Sequence, residues 1–211
     1  PELVQALSSG ITARGVDVIT IGLASTDGLY YASGALDLPG AMFTASHNPA
    51  QYNGIKLCRA GARPVGQDSG LAQIREVAQR HLDQGRSGFD RNPGRLTERD
   101  LLADYAGFLR GLVDLSDARP LRVVVDAANG MGGLTVPAVL GTGAGLPALP
   151  LEIEEMYFEL DGTFPNHHPD PSDPRNLEDL VQTVRRFDAD LGLAFDGDGD
   201  RLGVVTREGR V

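Results

Sequence analysis

Cysteine is nearly missing from this chain of 211 residues. Cys58 stands alone, so no internal disulfide can form, and a reducing, cytoplasmic location is expected. No apolar run approaches the roughly 18 residues of a membrane span, and no charged-then-apolar leader opens the sequence. Positive charge is also scarce: 19 basic residues face 29 acidic ones, for a net charge of −10 and a pI near 4.8. Such a surface repels phosphate backbones, so nucleic acid is not an expected partner, and without an apolar span neither is a membrane. Lysine is the scarcest of the basic residues, with Lys56 the only one among arginines. Arginine stays protonated in proteins whereas lysine can release its proton, which singles Lys56 out.

Glycine is plentiful, at 27 residues, but shows no triplet period, and 41% of residues are hydrophobic. Fibrous and disordered classes are therefore excluded. The length allows one or two domains. Pro1 in place of Met, and the turn-like Arg207–Arg210 before Val211, read as cut ends of a longer soluble protein.

Periodicity predicts an amphipathic first helix on Leu3, Leu7 and Ile11, with Pro1 in its first turn, and a strand over Val16–Leu23. Short strands follow at Ala41–Ala45 and Ile55–Arg59. A helix bearing Leu71, Ile74, Val77 and Leu82 is capped at Asp68 or Ser69, and a capping box at Thr97–Asp100 opens another helix. Cys58 lies in a strand and is expected in the core. Around Ser116–Pro120 the pattern restarts. Arg122–Ala128 is a near-continuous apolar run suited to a strand buried on both faces. A Gly-rich turn at Asn129–Gly133 leads to a short helix, then a strand near Ala148–Glu152. Asp161–Pro174 is a long loop, Asn176 caps a helix, and Leu191–Phe195 and Leu202–Thr206 are strands. The fold class is α/β: two mixed α/β three-layer domains, residues 1–115 and 116–211, with helices on mostly parallel sheets.

Between the last two strands, Asp196, Asp198 and Asp200 alternate with Gly197 and Gly199. Extended residues two apart share a face, and glycine lets the backbone bend so that the carboxylates converge. A hard divalent cation is the natural compensator of their mutual repulsion, a solvated acidic turn being the other reading, and Mg²⁺ suits a few carboxylates with a phosphate oxygen. An EF-hand is excluded, because its sixth and twelfth places hold Arg201 and Arg207. A haloacid-dehalogenase-type phosphohydrolase uses Thr or Val at the fifth place, which is Asp200, and a later Lys; since Lys56 lies upstream, it stays the weaker alternative, open only to a Lys beyond Val211. The loop ends an apolar strand, where open α/β sheets carry ligands.

Ser46, in Thr44-Ala45-Ser46-His47-Asn48-Pro49, follows a strand. No Gly-x-Ser-x-Gly elbow surrounds it, and the adjacent His47 is expected to be poorly placed as its base, so acyl transfer is disfavoured. A phosphorylated Ser46 would instead supply the phosphate oxygen that the acidic loop's cation lacks.

The segments TASHNPAQYNGIK (Thr44–Lys56), VVVDAANGMGG (Val123–Gly133), DGTFPNHHPDP (Asp161–Pro171) and LAFDGDGDRLGVV (Leu193–Val205), in this order, resemble the α-D-phosphohexomutase family, nearest its phosphomannomutase/phosphoglucomutase branch. The resemblance covers essentially the whole chain. It implies the first two of four domains, both incomplete at a terminus. It also implies a Mg²⁺-dependent mutase that moves a phosphoryl group between the 1- and 6-positions of mannose or glucose phosphate through a hexose 1,6-bisphosphate. Carried over residue by residue, Ser46 is the phosphorylated nucleophile, and Asp196, Asp198 and Asp200 hold the metal with a phosphoserine oxygen. Lys56 handles the sugar hydroxyl's proton. Arg201 offers a fixed fork for phosphate or an ion pair with a loop Asp, and His47 donates to the phosphoserine or supports the turn. His167 and His168 are read as loop packing rather than metal ligands, since adjacent His point different ways. Asp27 stands where the family usually has Pro. The family's Arg-containing loop would precede Pro1, and its sugar-reading and phosphate-clamping loops would follow Val211. The 211 residues alone are thus expected to bind Mg²⁺ and isomerise sugars poorly; a module binding metal or phosphate without turnover is the alternative.

Overall fold

The computed structural model describes residues 2–48, 51–85, 92–115 and 117–211. Pro1, Pro49 and Ser116 lie outside them. The chain divides into two compact units. One comprises Pro1–Gly22, Leu29–Phe43 and Ile55–Asp100, the other Leu23–Gly28, Thr44–Gly54 and Leu101–Val211.

In the first unit, helix α1 (Glu2–Thr12) turns Leu7, Ser8 and Ile11 inward but leaves Leu3 exposed. Strand β1 is shorter than its apolar run, Val18–Thr20. Helix α2 (Thr26–Leu36), which the sequence pattern did not show, enters this unit at Leu29; its first turn belongs to the second, where Ser25 Oγ accepts the Gly28 N–H at 3.2 Å. Strands β2 (Gly40–Phe43), β3 (Ile55–Arg59) and β4 (Arg63–Pro64) form an antiparallel sheet in that order. Cys58 is buried on β3, as expected.

Helix α3 (Leu71–Gln84) begins after Gly70 rather than at Asp68 or Ser69. Those two lie in a 3-10 turn at Gln67–Ser69, where Ser69 Oγ accepts the Gly66 N–H. Thr97 is no cap either. Strand β5 (Leu96–Glu98) pairs in parallel with β1, Thr97 opposite Ile19. A β-branched residue beside a free strand edge finds ladder partners there, and local capping chemistry loses.

In the second unit, helix α4 (Leu102–Leu112) precedes strand β6 (Leu121–Asp126) and helix α5 (Gly132–Val139). Strand β7 runs Leu151–Met156, later than expected. A 3-10 turn at Pro174–Leu177 is capped by Asp173, not Asn176, and continues into helix α6 (Glu178–Arg186). Strands β8 (Leu191–Phe195) and β9 (Leu202–Thr206) occupy the segments predicted for them. The sheet order is β7-β6-β8-β9, with β6 parallel to both neighbours and β9 antiparallel. The fold is mixed α/β in both units.

The sheet has apolar residues on both faces because β6 alternates its valines. Val124 packs with Leu177, Leu180, Val184 and Val205 on the α6 side. Val123 and Val125 pack with Val136 of α5 on the other. Gly192 of β8 lets α6 approach closely: a Cβ there would stand 2.7 Å from Val184 Cγ2. This packing fixes the ends of β6 and β8, from which the site is built. No helix among the described residues is long and apolar enough to cross a membrane.

Candidate functional site

The acidic loop springs from the end of β8. Asp196 and Asp198 are buried and Asp200 is exposed, yet each offers an oxygen within 4.8 Å of the others. Backbone geometry forces this convergence. Asp196 Oδ1 accepts the N–H groups of Asp200 (3.0 Å) and Arg201 (3.1 Å), curling the loop around it. Gly199 takes a left-handed φ of 75°, which suits glycine. The Gly197 carbonyl accepts the Met131 N–H at 3.0 Å, and that of Asp198 the Thr26 N–H at 2.9 Å. Glycine is also required at the contacts themselves. A Cβ on Gly130 would meet Gly197 O at 2.7 Å, and one on Gly197 would collide with the Ser46 carbonyl.

The serine turn is closed at its base by the Thr44 N–H donating to Gly54 O at 3.1 Å. A Cβ on Gly54 would lie 2.6 Å from Thr44 O, so only glycine permits that closure. Ser46 itself sits at φ 53°, a left-handed conformation uncommon for serine. Thr44 joins the two loops: its Oγ1 accepts the Ser46 N–H at 2.8 Å and donates to Asp198 Oδ2 at 3.0 Å. Ser46 Oγ donates to Asp196 Oδ2 at 3.1 Å. The sequence motif contained Thr44 without revealing this role, because the partner lies 154 residues away.

His47 lies closer to Ser46 than adjacency in the chain suggests. Its Nδ1 lies 3.2 Å from Ser46 Oγ, within hydrogen-bond reach, because the left-handed turn at Ser46 brings neighbouring side chains together. The same Nδ1 is 2.6 Å from Arg201 Nη2. A guanidinium only donates, so Nδ1 accepts and the ring proton sits on Nε2. With its lone pair occupied, His47 is still not arranged as a base for Ser46.

Arg201 forms the ion pairs that were one of its two expected roles. Its Nε donates to Asp196 Oδ2 (3.1 Å) and Nη1 to Asp170 Oδ1 (3.0 Å). Lys56 belongs to the first unit, half-buried on β3 opposite Met42. His167 and His168 point apart. His167 Nε2 meets Asp126 Oδ2 at 2.8 Å, whereas the His168 ring stands edge-on to His47 with centroids 5.9 Å apart. Asp126 and Asp170 carry interactions that sequence reasoning missed; the charge ending the apolar run VVVD was the one available signal.

Burial pushes the Asp196 carboxyl upward. The N–H donors of Arg201 pull it down, and the charges of Asp198 and Asp200 raise it further, so the net shift is upward. An oxygen-only donor set with this unresolved repulsion fits a hard divalent cation, which would relieve both burial and like-charge cost.

The family model described as phosphoglucomutase/phosphomannomutase, alpha/beta/alpha domain II, matches residues 103–209, and that for domain I of the same family matches residues 1–84. The chain belongs to this family. Among its relatives, the phosphoglucomutase of Neisseria meningitidis serogroup A is 39% identical, the match covering 100% of this chain and 43% of the relative. The phosphomannomutase/phosphoglucomutase of Pseudomonas aeruginosa is 40% identical over 100% of this chain and 42% of its own. A crystal structure of a family protein from Burkholderia thailandensis superposes with a TM-score of 0.81 at 38% identity, covering 100% of this chain and 44% of that one. The chain thus spans less than half the length of the curated relatives it matches.

Proposed function

We propose that this chain carries the phosphoserine and metal half of a cytoplasmic phosphohexomutase acting on mannose or glucose phosphate. The observation that carries the reading is the hydrogen bond of 3.1 Å from Ser46 Oγ to Asp196 Oδ2, beside three converging carboxylates whose oxygen donors suit a divalent cation. Ser46 bears the phosphoryl group. A hydroxyl oxygen of the hexose monophosphate attacks phosphorus, the Oγ–P bond breaks, and Lys56 takes the hydroxyl proton. The resulting hexose 1,6-bisphosphate turns over and returns its other phosphoryl group to Ser46 Oγ, while the freed sugar oxygen recovers a proton. Positioning and charge neutralisation matter most in such transfer.

Asp196, Asp198 and Asp200 hold Mg²⁺, which when bound supplies neutralising charge and polarises phosphoryl oxygens. Arg201 presents its guanidinium beside Ser46 and sets the phosphate's orientation. His47, whose Nδ1 lies 3.2 Å from Ser46 Oγ, supports the turn. Lys56 rests on the motif Asn53-Gly54-Ile55-Lys56 and on being an amine that can release a proton.

The test is intact-mass and peptide analysis of the full-length protein. A phosphate increment on the Ser46 peptide, exchanging with added glucose or mannose 1,6-bisphosphate, is expected, and Ser46→Ala abolishes mutase activity. Full activity in Ser46→Ala would overturn the assignment. A phosphate inert to the bisphosphate would favour a binding module without turnover.

A further inference from the structure

The loop over residues 161–173 has no regular secondary structure, yet side chains at Asn166, His167 and Asp170 are among those that tie it down. Asn166 Nδ2 donates to Asn129 Oδ1 at 2.8 Å, His167 Nε2 meets Asp126 Oδ2 at 2.8 Å, and Asp170 Oδ1 accepts from Arg201 Nη1 at 3.0 Å. The middle tie is unusual chemically. His167 Nδ1 faces the His168 carbonyl at 2.9 Å, and a carbonyl only accepts, so Nδ1 carries a proton. Nε2 faces a carboxylate with no solvent exposure, whose other oxygen accepts the Ala128 N–H at 2.8 Å. Both ring nitrogens therefore face acceptors, the pattern of an imidazolium.

We infer that His167 is a positioning residue: as an imidazolium clasped to buried Asp126 it fixes the 161–173 loop, and through Asp170 it sets the Arg201 fork on Asp196 and His47. The route is continuous and every link is a named contact. His167 holds the loop to the end of β6, Asp170 three residues on holds one arm of Arg201, and the other arms reach Asp196 Oδ2 and His47 Nδ1. The significance for catalysis rests on the mutase reading of the site; the clasp itself does not.

The groups facing His167 favour its charge. Tyr157 packs edge-on to the ring, with centroids 5.5 Å apart, and its hydroxyl donates to Asp179 at 2.9 Å. Burial lowers the imidazole's proton affinity, but the hydrogen bond and charge of Asp126, the His168 carbonyl and the charge of Asp179 outweigh it, leaving the shift upward from 6.5. With the folded value above the unfolded one, the clasp is at full strength below pH 6.5 and is lost as pH rises through the folded value.

The experiment uses the full-length protein and two readouts that need no turnover. Side-chain nitrogen NMR of histidine-labelled protein should show both ring nitrogens of His167 still protonated at a pH where an ordinary imidazole has lost its proton. Calorimetry with Mg²⁺ alone should show weaker binding in His167→Gln, at or below the lower end of the roughly 10- to 100-fold that loss of an outer-shell partner costs. The affinity of the unaltered protein should fall as pH rises through the His167 transition seen by NMR, and that of His167→Gln should be flat across it. Asp170→Asn should weaken binding equally while leaving His167 doubly protonated, and the double variant should be no worse than either single one. A His167 that loses its proton at or below the ordinary 6.5, or Asp170→Asn binding Mg²⁺ as tightly as the unaltered protein, overturns the inference, even if His167→Gln does not fold. Failure of the mutase reading would show separately, as absent phosphate on Ser46 with the clasp intact.

Discussion

Ser46 Oγ and Asp196 Oδ2 are joined by a hydrogen bond of 3.1 Å although 150 residues of chain separate them. The same carboxylate oxygen accepts Arg201 Nε at 3.1 Å. One buried atom thus gathers the candidate nucleophile, the candidate phosphate fork and the candidate metal cluster. Its neighbours decide how the cluster responds to a cation.

Asp198→Asn should have opposite effects with and without metal. Asp198 accepts from Thr44 and lies among carboxylates whose charge raises Asp196. Removing its charge relieves repulsion, so the thermal midpoint in a chelator should rise. Mg²⁺ affinity should fall by at least the roughly 10-fold that outer-shell losses cost. Unchanged affinity by calorimetry would remove Asp198 from the ligand set.

Gly130→Ala should damage the acidic loop from behind. The new methyl would stand 2.7 Å from Gly197 O and 2.8 Å from Gly197 Cα, both backbone atoms. Overpacking of this kind costs about 1–3 kcal/mol, and Gly197 lies between two candidate ligands. Urea unfolding should show the loss of stability and calorimetry a loss of Mg²⁺ affinity. A variant with unchanged values on both would show that the backbone yields freely there.

Leu180→Ala probes the α6 side of the sheet. Leu180 is fully buried and packs with Val124, Val184 and Val205. Truncation removes transfer energy and leaves a cavity, about 2–5 kcal/mol. The denaturant midpoint should fall accordingly. A loss under about 1 kcal/mol would mean that the site collapses around the missing atoms.

Acid stability should depend on Asp190. Arg119 Nη2 donates to its carboxylate at 2.6 Å and the Arg122 N–H at 3.0 Å, holding it at about 2 against an ordinary 3.8. A depressed folded value contributes stability above the unfolded value and loses it as pH falls through the folded one. Unfolding midpoints of the unaltered protein and Asp190→Asn should therefore differ above pH 4 and converge towards pH 2. Parallel profiles over that range would show that Asp190 carries no such linkage.

Elements carried by short-range pattern are legible in the amino-acid order itself. β3, β8 and β9 follow from apolar runs bounded by turn residues, and β6 from an unbroken valine run that needed cover on both faces. The convergence of Asp196, Asp198 and Asp200 follows from spacing and intervening glycine alone, because every atom involved lies within five residues.

Whatever depended on a distant partner was decided only in three dimensions. Helix α2 contains Gly28, Gly34 and two tyrosines, a weak helix by propensity. Burial of Leu29, Ala32 and Ser33 outweighs that preference. Thr97 had the chemistry of a cap, and the free edge of β1 claimed it for a strand. His167 and His168 are neighbours in sequence with similar chemistry, yet Asp126 takes one and His47 faces the other. A sequence states which groups can accept or donate. Which of them meet is set by how β6 and β8 bring their ends together, since each pairing repays its desolvation only at hydrogen-bond distance.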